Sequence, residues 1–156
     1  MASEYEAIFD AVGWQAGIVL PRHLGEAQWL IWDEQPGDKM LVSANSSGFT
    51  SVIVRNGEPV LVRSYACEPG SRTDELHRFA LYYRDRLATA GQPTIVTALL
   101  AIGGIDVAEA GLAVRDALEV QPRSLDPVEF GLDLRGEPIR FDQLAGAAGV
   151  ATLAWQ

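Results

Sequence analysis

The chain has 156 residues, 48% hydrophobic and 21% charged, a size and balance that suit one domain with one packed core and exclude long disorder. Its formal net charge of −9, from 21 acidic against 12 basic residues, comes with no offsetting Lys or Arg run, so nucleic acid is excluded as a natural partner. The single cysteine, Cys67, excludes an intrachain disulfide and a cysteine-based zinc cluster.

From Tyr5 to Trp14, the residues Tyr5, Ile8, Phe9 and Val12 fall at i, i+3, i+4 and i+7, which predicts a short amphipathic helix with Ser3 as N-cap and Gly13 near its end. Ile18, Val19 and Leu20, closed by Pro21, suit a buried strand. A second helix is expected from about Arg22 to Trp32, ended by the turn-rich Glu34-Gln35-Pro36-Gly37-Asp38. Three strands follow, Met40 to Ser43, Phe49 to Arg55 and Pro59 to Tyr65, the last two joined by Asn56-Gly57, a dipeptide that tolerates positive φ and signals a tight hairpin. Apolar residues stand at both alternating sets of positions in these strands, and one face of the meander should carry helices.

Glu68 to Ser71 reads as a loop, after which Leu76, Phe79, Ala80, Tyr83 and Leu87 recur at helical spacing up to Gly91. Thr94 to Ile102 is apolar and β-branched and predicts a strand, which Gly103-Gly104 separates from a helix containing Val107, Leu112, Val114 and Leu118. Val120 is assigned to one more short strand, and Pro122, Asp126-Pro127, Gly131 and Gly136 to Pro138 to irregular connections. Phe141 to Trp155 closes the chain as an alanine-rich helix, although Gly146 and Gly149 each cost it about 1 kcal/mol relative to alanine. A meander followed by helix, strand and helix predicts an α/β fold with a mixed sheet and helices on its faces.

That order resembles the second lobe of the actin-like ATPase superfamily, a βββαβα unit on a ribonuclease-H-like sheet. The resemblance starts at Gly17 to Trp29, similar to the strand, proline and helix that lead into this lobe. Met40 to Val54 is similar to the family's second phosphate loop, a strand followed by Asp-x-Gly-x-x-Thr, with Asn45 in place of the acid, Ser47 in place of the glycine and Thr50 as the threonine. Leu99 to Gly104 is similar to the adenosine motif, in which a strand delivers two glycines to a helix start. Within the superfamily the chain most resembles PilM-like type IV pilus assembly proteins, through Tyr5-Glu6, Ala11-Val12-Gly13, the hairpin Val54 to Pro59, Arg63-Ser64 and Tyr82-Tyr83. The resemblance spans about 150 residues and implies that residues 1–156 form one lobe, with the first lobe absent because nothing before Tyr5 leaves room for it.

Nucleotide-site residues carried over by this resemblance are Asn45, Ser47, Gly48, Thr50, Gly103 and Gly104. Metal-assisted phosphoryl transfer needs negative oxygens around the cation, and Asn45 cannot supply the charge. Gly103-Gly104 permits close backbone approach by an adenine or ribose, but a strand-to-helix turn without ligand is the preferred reading. No independent enzymatic activity, no catalytic or metal residue and no cofactor are therefore expected. His23 and His77 lack metal spacing, Cys67 lacks an activating neighbour, and no nucleophile elbow accompanies the serines near position 45. Asp33, Glu34 and Asp38 read as a solvated turn, and Arg78, Arg84 and Arg86 as ordinary exposed helix charge. Trp14, Trp29, Trp32 and Trp155 are divided between core and interface roles, and a homodimer is one way to cover apolar surface.

The resemblance implies a non-catalytic scaffold domain of a type IV pilus or secretion assembly complex, cytoplasmic, with protein partners of an inner-membrane complex. No signal peptide or membrane-spanning run of about 18 apolar residues is expected, so membrane association would come through a partner. The alternative is the nucleotide-binding half of an actin-like ATPase that takes Mg-ATP only with a first lobe supplied in trans. A ribonuclease-H-like nuclease is disfavoured by Asn45 and by the negative charge.

Overall fold

The computed structural model describes residues 2–13, 20–87, 95–136 and 138–153. Its helices are α1 (Ala2–Ala11), α2 (Arg22–Ile31), α3 (Arg72–Leu87), α4 (Val107–Leu118) and α5 (Phe141–Thr152), and its strands are β1 (Asp38–Asn45), β2 (Gly48–Arg55), β3 (Glu58–Ala66), β4 (Val96–Ile102) and the two-residue β5 (Arg123–Ser124). One five-stranded sheet has the order β3-β2-β1-β4-β5. β1 pairs antiparallel with β2 and β2 with β3, whereas β4 lies parallel to both β1 and β5. This is the mixed α/β sheet expected, and the strand predicted from Thr94 to Ile102 joins the sheet that holds β2.

Alternation along the strands builds two cores. Met40, Val42, Phe49, Ile53 and Leu99 face α3 and α4, where Leu76, Phe79, Tyr83, Ala110 and Val114 meet them. Leu41, Val52, Val54, Ala98 and Leu100 face the other way, against Trp29 and Leu30 of α2 and Ala145 of α5. Period-two side-chain placement lets one strand feed both layers, so helices cover both faces of the sheet and not one. The helices on the second face touch backbone to backbone: a Cβ on Gly149 would stand 1.9 Å from the Gly25 carbonyl oxygen. Trp29 Nε1 donates to the Ala145 carbonyl at 2.8 Å across the same crossing. The glycines that weaken α5 as an isolated helix are thus what lets it dock.

At Asn56-Gly57 both residues adopt positive φ, 52° and 79°, as a two-residue hairpin turn requires. Several expectations are revised. α1 begins at Ala2, so Ser3 lies inside the helix and is not its N-cap. The strand expected at Val120 forms instead at Arg123–Ser124. α4 ends on Glu119 in the left-handed region, φ 57°, and Pro122 has no N–H to pair, so bonding to β4 starts only beyond it. The expected strand at Ile18 and Val19 lies outside the described residues, as do Trp14, Gly17, Gly91, Thr94 and Trp155.

Candidate functional site at the ends of β1 and β4

Because β1 and β4 are parallel neighbours, their C-terminal ends lie side by side, with Ser43 opposite Ile102. The chain leaves them in opposite senses, β1 turning back into β2 and β4 running through α4 to β5. Divergence of this kind opens a crevice at the strand ends, where α/β folds place ligands. Both segments singled out from the sequence, 45–50 and 103–104, meet this crevice, although not with all their side chains.

Asn45 and Gly48 pair across the β1–β2 turn. Asn45 Oδ1 accepts hydrogen bonds from the Ser47 backbone N–H and from Ser47 Oγ, each at 2.8 Å, which folds the side chain back on its own turn. Gly48 is required by packing: at φ +148°, an added Cβ would stand 1.8 Å from the Tyr65 carbonyl oxygen on β3. Thr50 lies on β2, beyond β1 from β4, and its Oγ1 shares a 2.8 Å hydrogen bond with Ser64 Oγ. Thr50 therefore does not join the other candidates.

The two glycines after β4 differ. A Cβ on Gly103 would lie 2.0 Å from the Ala44 carbonyl oxygen, so this position is set by the close approach of β1, whereas nothing lies within 4 Å of one on Gly104. Beside them opens a cavity of about 300 Å³, lined in part by Ile105, Val107, Arg140 and Phe141. Arg72, the first residue of α3, reaches between the two motifs. Its Nη1 donates to the Gly104 carbonyl at 3.1 Å and its Nη2 donates to the Asn45 carbonyl. Arg72 is buried, and its Nε has no partner.

Asn45 brings no charge to this crevice and the Ser47 N–H is already engaged by its side chain, whereas Gly104 borders open space. Arg72 is the residue that sequence reasoning passed over. Its signal is positional: an arginine in the first turn of a helix opposes the helix dipole, which Asp74 and Glu75 of the same turn complement, so its charge serves another contact.

At the opposite end of β1, the reading of Asp33 and Asp38 as solvated is corrected: both are buried. Asp38 accepts two hydrogen bonds from Arg55, at 2.8 and 2.7 Å, and one from the Tyr83 hydroxyl. Asp33 pairs with Arg123 at 3.1 Å, and its carbonyl accepts from Lys39, the chain's only lysine. Long-range cations, invisible in the local sequence, make this burial affordable, while Glu34 stays exposed. Burial pushes the Tyr83 phenol far above its ordinary range, and the bond to Asp38 adds to the rise. The same carboxylate raises the Arg55 guanidinium. Arg63 sits 4.0 Å from the centre of the Tyr82 ring, so the Arg63-Ser64 and Tyr82-Tyr83 pairs are joined across β3 and α3.

No family model matches the chain, and no curated protein matches it in sequence. Solved structures do. A PilM–PilN type IV pilus biogenesis complex is 14% identical with a TM-score of 0.61, covering 92% of this chain and 55% of its own. A protein from Bacteroides thetaiotaomicron, described as having an actin-like ATPase fold and unknown function, is 16% identical with a TM-score of 0.51, over 78% of this chain and 41% of its own. An archaeal actin homolog is 19% identical with a TM-score of 0.51, over 88% of this chain and 56% of its own. The chain thus spans about half the length of the structures it matches. With identities this low the likeness is one of architecture, and on that ground the chain has the fold of an actin-like ATPase lobe.

Proposed function

We propose that this chain is a non-catalytic scaffold domain of a type IV pilus or related secretion assembly complex. The observation that carries the reading is Asn45. Where an actin-like ATPase would present a carboxylate to a metal-bound phosphate, this hairpin presents an amide bonded to its own turn. Likeness of fold to a PilM–PilN type IV pilus biogenesis complex over 92% of the chain supports this reading, in which the chain is cytoplasmic and works through a protein partner of an inner-membrane complex. Among the described residues no helix is long and apolar enough to cross a membrane, which suits attachment through that partner.

The purified chain should release no phosphate from Mg-ATP above background, measured by a phosphate-release assay, and its Tm should not move at millimolar nucleotide. Sustained phosphate release would overturn the reading. The open space at Gly104 favours a second reading, a nucleotide-binding half that needs a first lobe in trans. A rise in Tm with Mg-ATP would select it, because a ligand bound only by the folded state stabilises that state.

A further inference from the structure

We propose that Arg72 is an internal latch which holds the β1–β2 turn to the Gly103-Gly104 turn, so that the lobe keeps its strand-end geometry without nucleotide. The inference rests on the reading of this lobe as non-catalytic and adds how its crevice is held. One guanidinium donates to a carbonyl of each turn, so the two are joined directly by a side chain of the lobe itself.

Four features of Arg72 distinguish a latch from a waiting ligand site. Its fork is spent on Asn45 and Gly104, both backbone carbonyls, so its bonds fix main-chain positions. Nε is buried and unpartnered, so it cannot reach a phosphate in solvent without the site rearranging. No ion pair among the described residues includes Arg72, whose two hydrogen bonds go to backbone carbonyls. Only 7% of its surface is exposed, a placement that trades solvation of a cation for those two contacts. Gly103 completes the arrangement, since its missing Cβ lets the second turn close on Ala44 of β1.

Amide hydrogen exchange on the whole chain tests this at both turns at once. In Arg72→Met, which keeps the stem and removes the donors, exchange at Ser47, Gly48, Gly103 and Gly104 should quicken by about tenfold or more, as loss of charged hydrogen bonds implies. Exchange in the centre of β2 should stay as in the wild type. Arg72→Lys keeps the charge but lacks the fork, and should protect one turn at most. In the wild type, millimolar Mg-ATP should leave protection at both turns unchanged. Unaltered exchange in Arg72→Met would overturn the latch, as would new protection of both turns by Mg-ATP in the wild type. If Arg72→Met fails to fold, Arg72→Lys decides, since wild-type exchange at both turns in that variant would overturn the latch, and neither result depends on finding the assembly partner.

Discussion

Tyr83 shows how one residue ties chemistry to stability. Its phenol is fully buried and donates to Asp38, which Arg55 also grips, so the protonated form is favoured in the fold. The unfolded chain gives up this proton near pH of about 10, and the native state holds it longer. Native protein then binds more protons, and stability falls as pH rises above that point. Urea unfolding followed from neutral to strongly alkaline pH should show this loss in the wild type and a shallower one in Tyr83→Phe, which at neutral pH costs about 1 kcal/mol. Gly103 and Gly104 give a second residue-scale test. Both have positive φ, 79° and 90°, but only Gly103 abuts backbone. Gly104→Ala should cost about 1 kcal/mol for conformation alone, and Gly103→Ala about 3 kcal/mol or more because the β1 carbonyl must move. Chemical denaturation of the two variants checks the difference. Sequence alone shows two equivalent glycines; their unequal roles come from Ala44, a neighbour nearly sixty positions away.

Among the elements, those with a complete local signal were legible. The Asn56-Gly57 hairpin formed as read because its turn chemistry is contained in two residues. α3 formed where its apolar spacing placed it, since Leu76, Phe79, Ala80 and Tyr83 share one buried face. α4 carries its own start signal: Asp106 accepts from the N–H groups of Ala108 and Glu109 at 2.9 and 3.0 Å. Asp106→Ala should lower stability by about 1 kcal/mol, read from thermal or urea unfolding, with Asp106→Asn close to the wild type. Elements that depend on distant neighbours were misjudged. The last strand moved from Val120 to Arg123 because its pairing waits for β4, and α5, penalised for its glycines, gains from them once Gly25 lies against Gly149.

For the whole molecule, the consequence of strands that feed both cores is cooperativity. Met40 and Leu41 are adjacent in β1 yet lie in opposite layers, so neither layer can be lost without disturbing the other. Tryptophan fluorescence, to which Trp29 contributes from the α2–α5 side, should therefore report the same urea midpoint as far-ultraviolet circular dichroism; separated midpoints would contradict a single unit. The candidate site divides along the same line. The turns at Asn45 to Gly48 and at Gly103-Gly104 could be picked out in the sequence, but not that Thr50 turns away to Ser64 or that Arg72 stands between the two turns.

What the sequence by itself determined is the succession of elements, the two-faced apolar character of the central strands and the uncharged amide at Asn45, because periodicity, turn chemistry and residue identity are local properties. Tertiary structure alone decided which charges are buried and which turns are bound together. The partners of Asp38, Asp33 and Arg72 come from remote segments, and the free energy of an ionised side chain depends on what surrounds it in space, not on its neighbours along the chain.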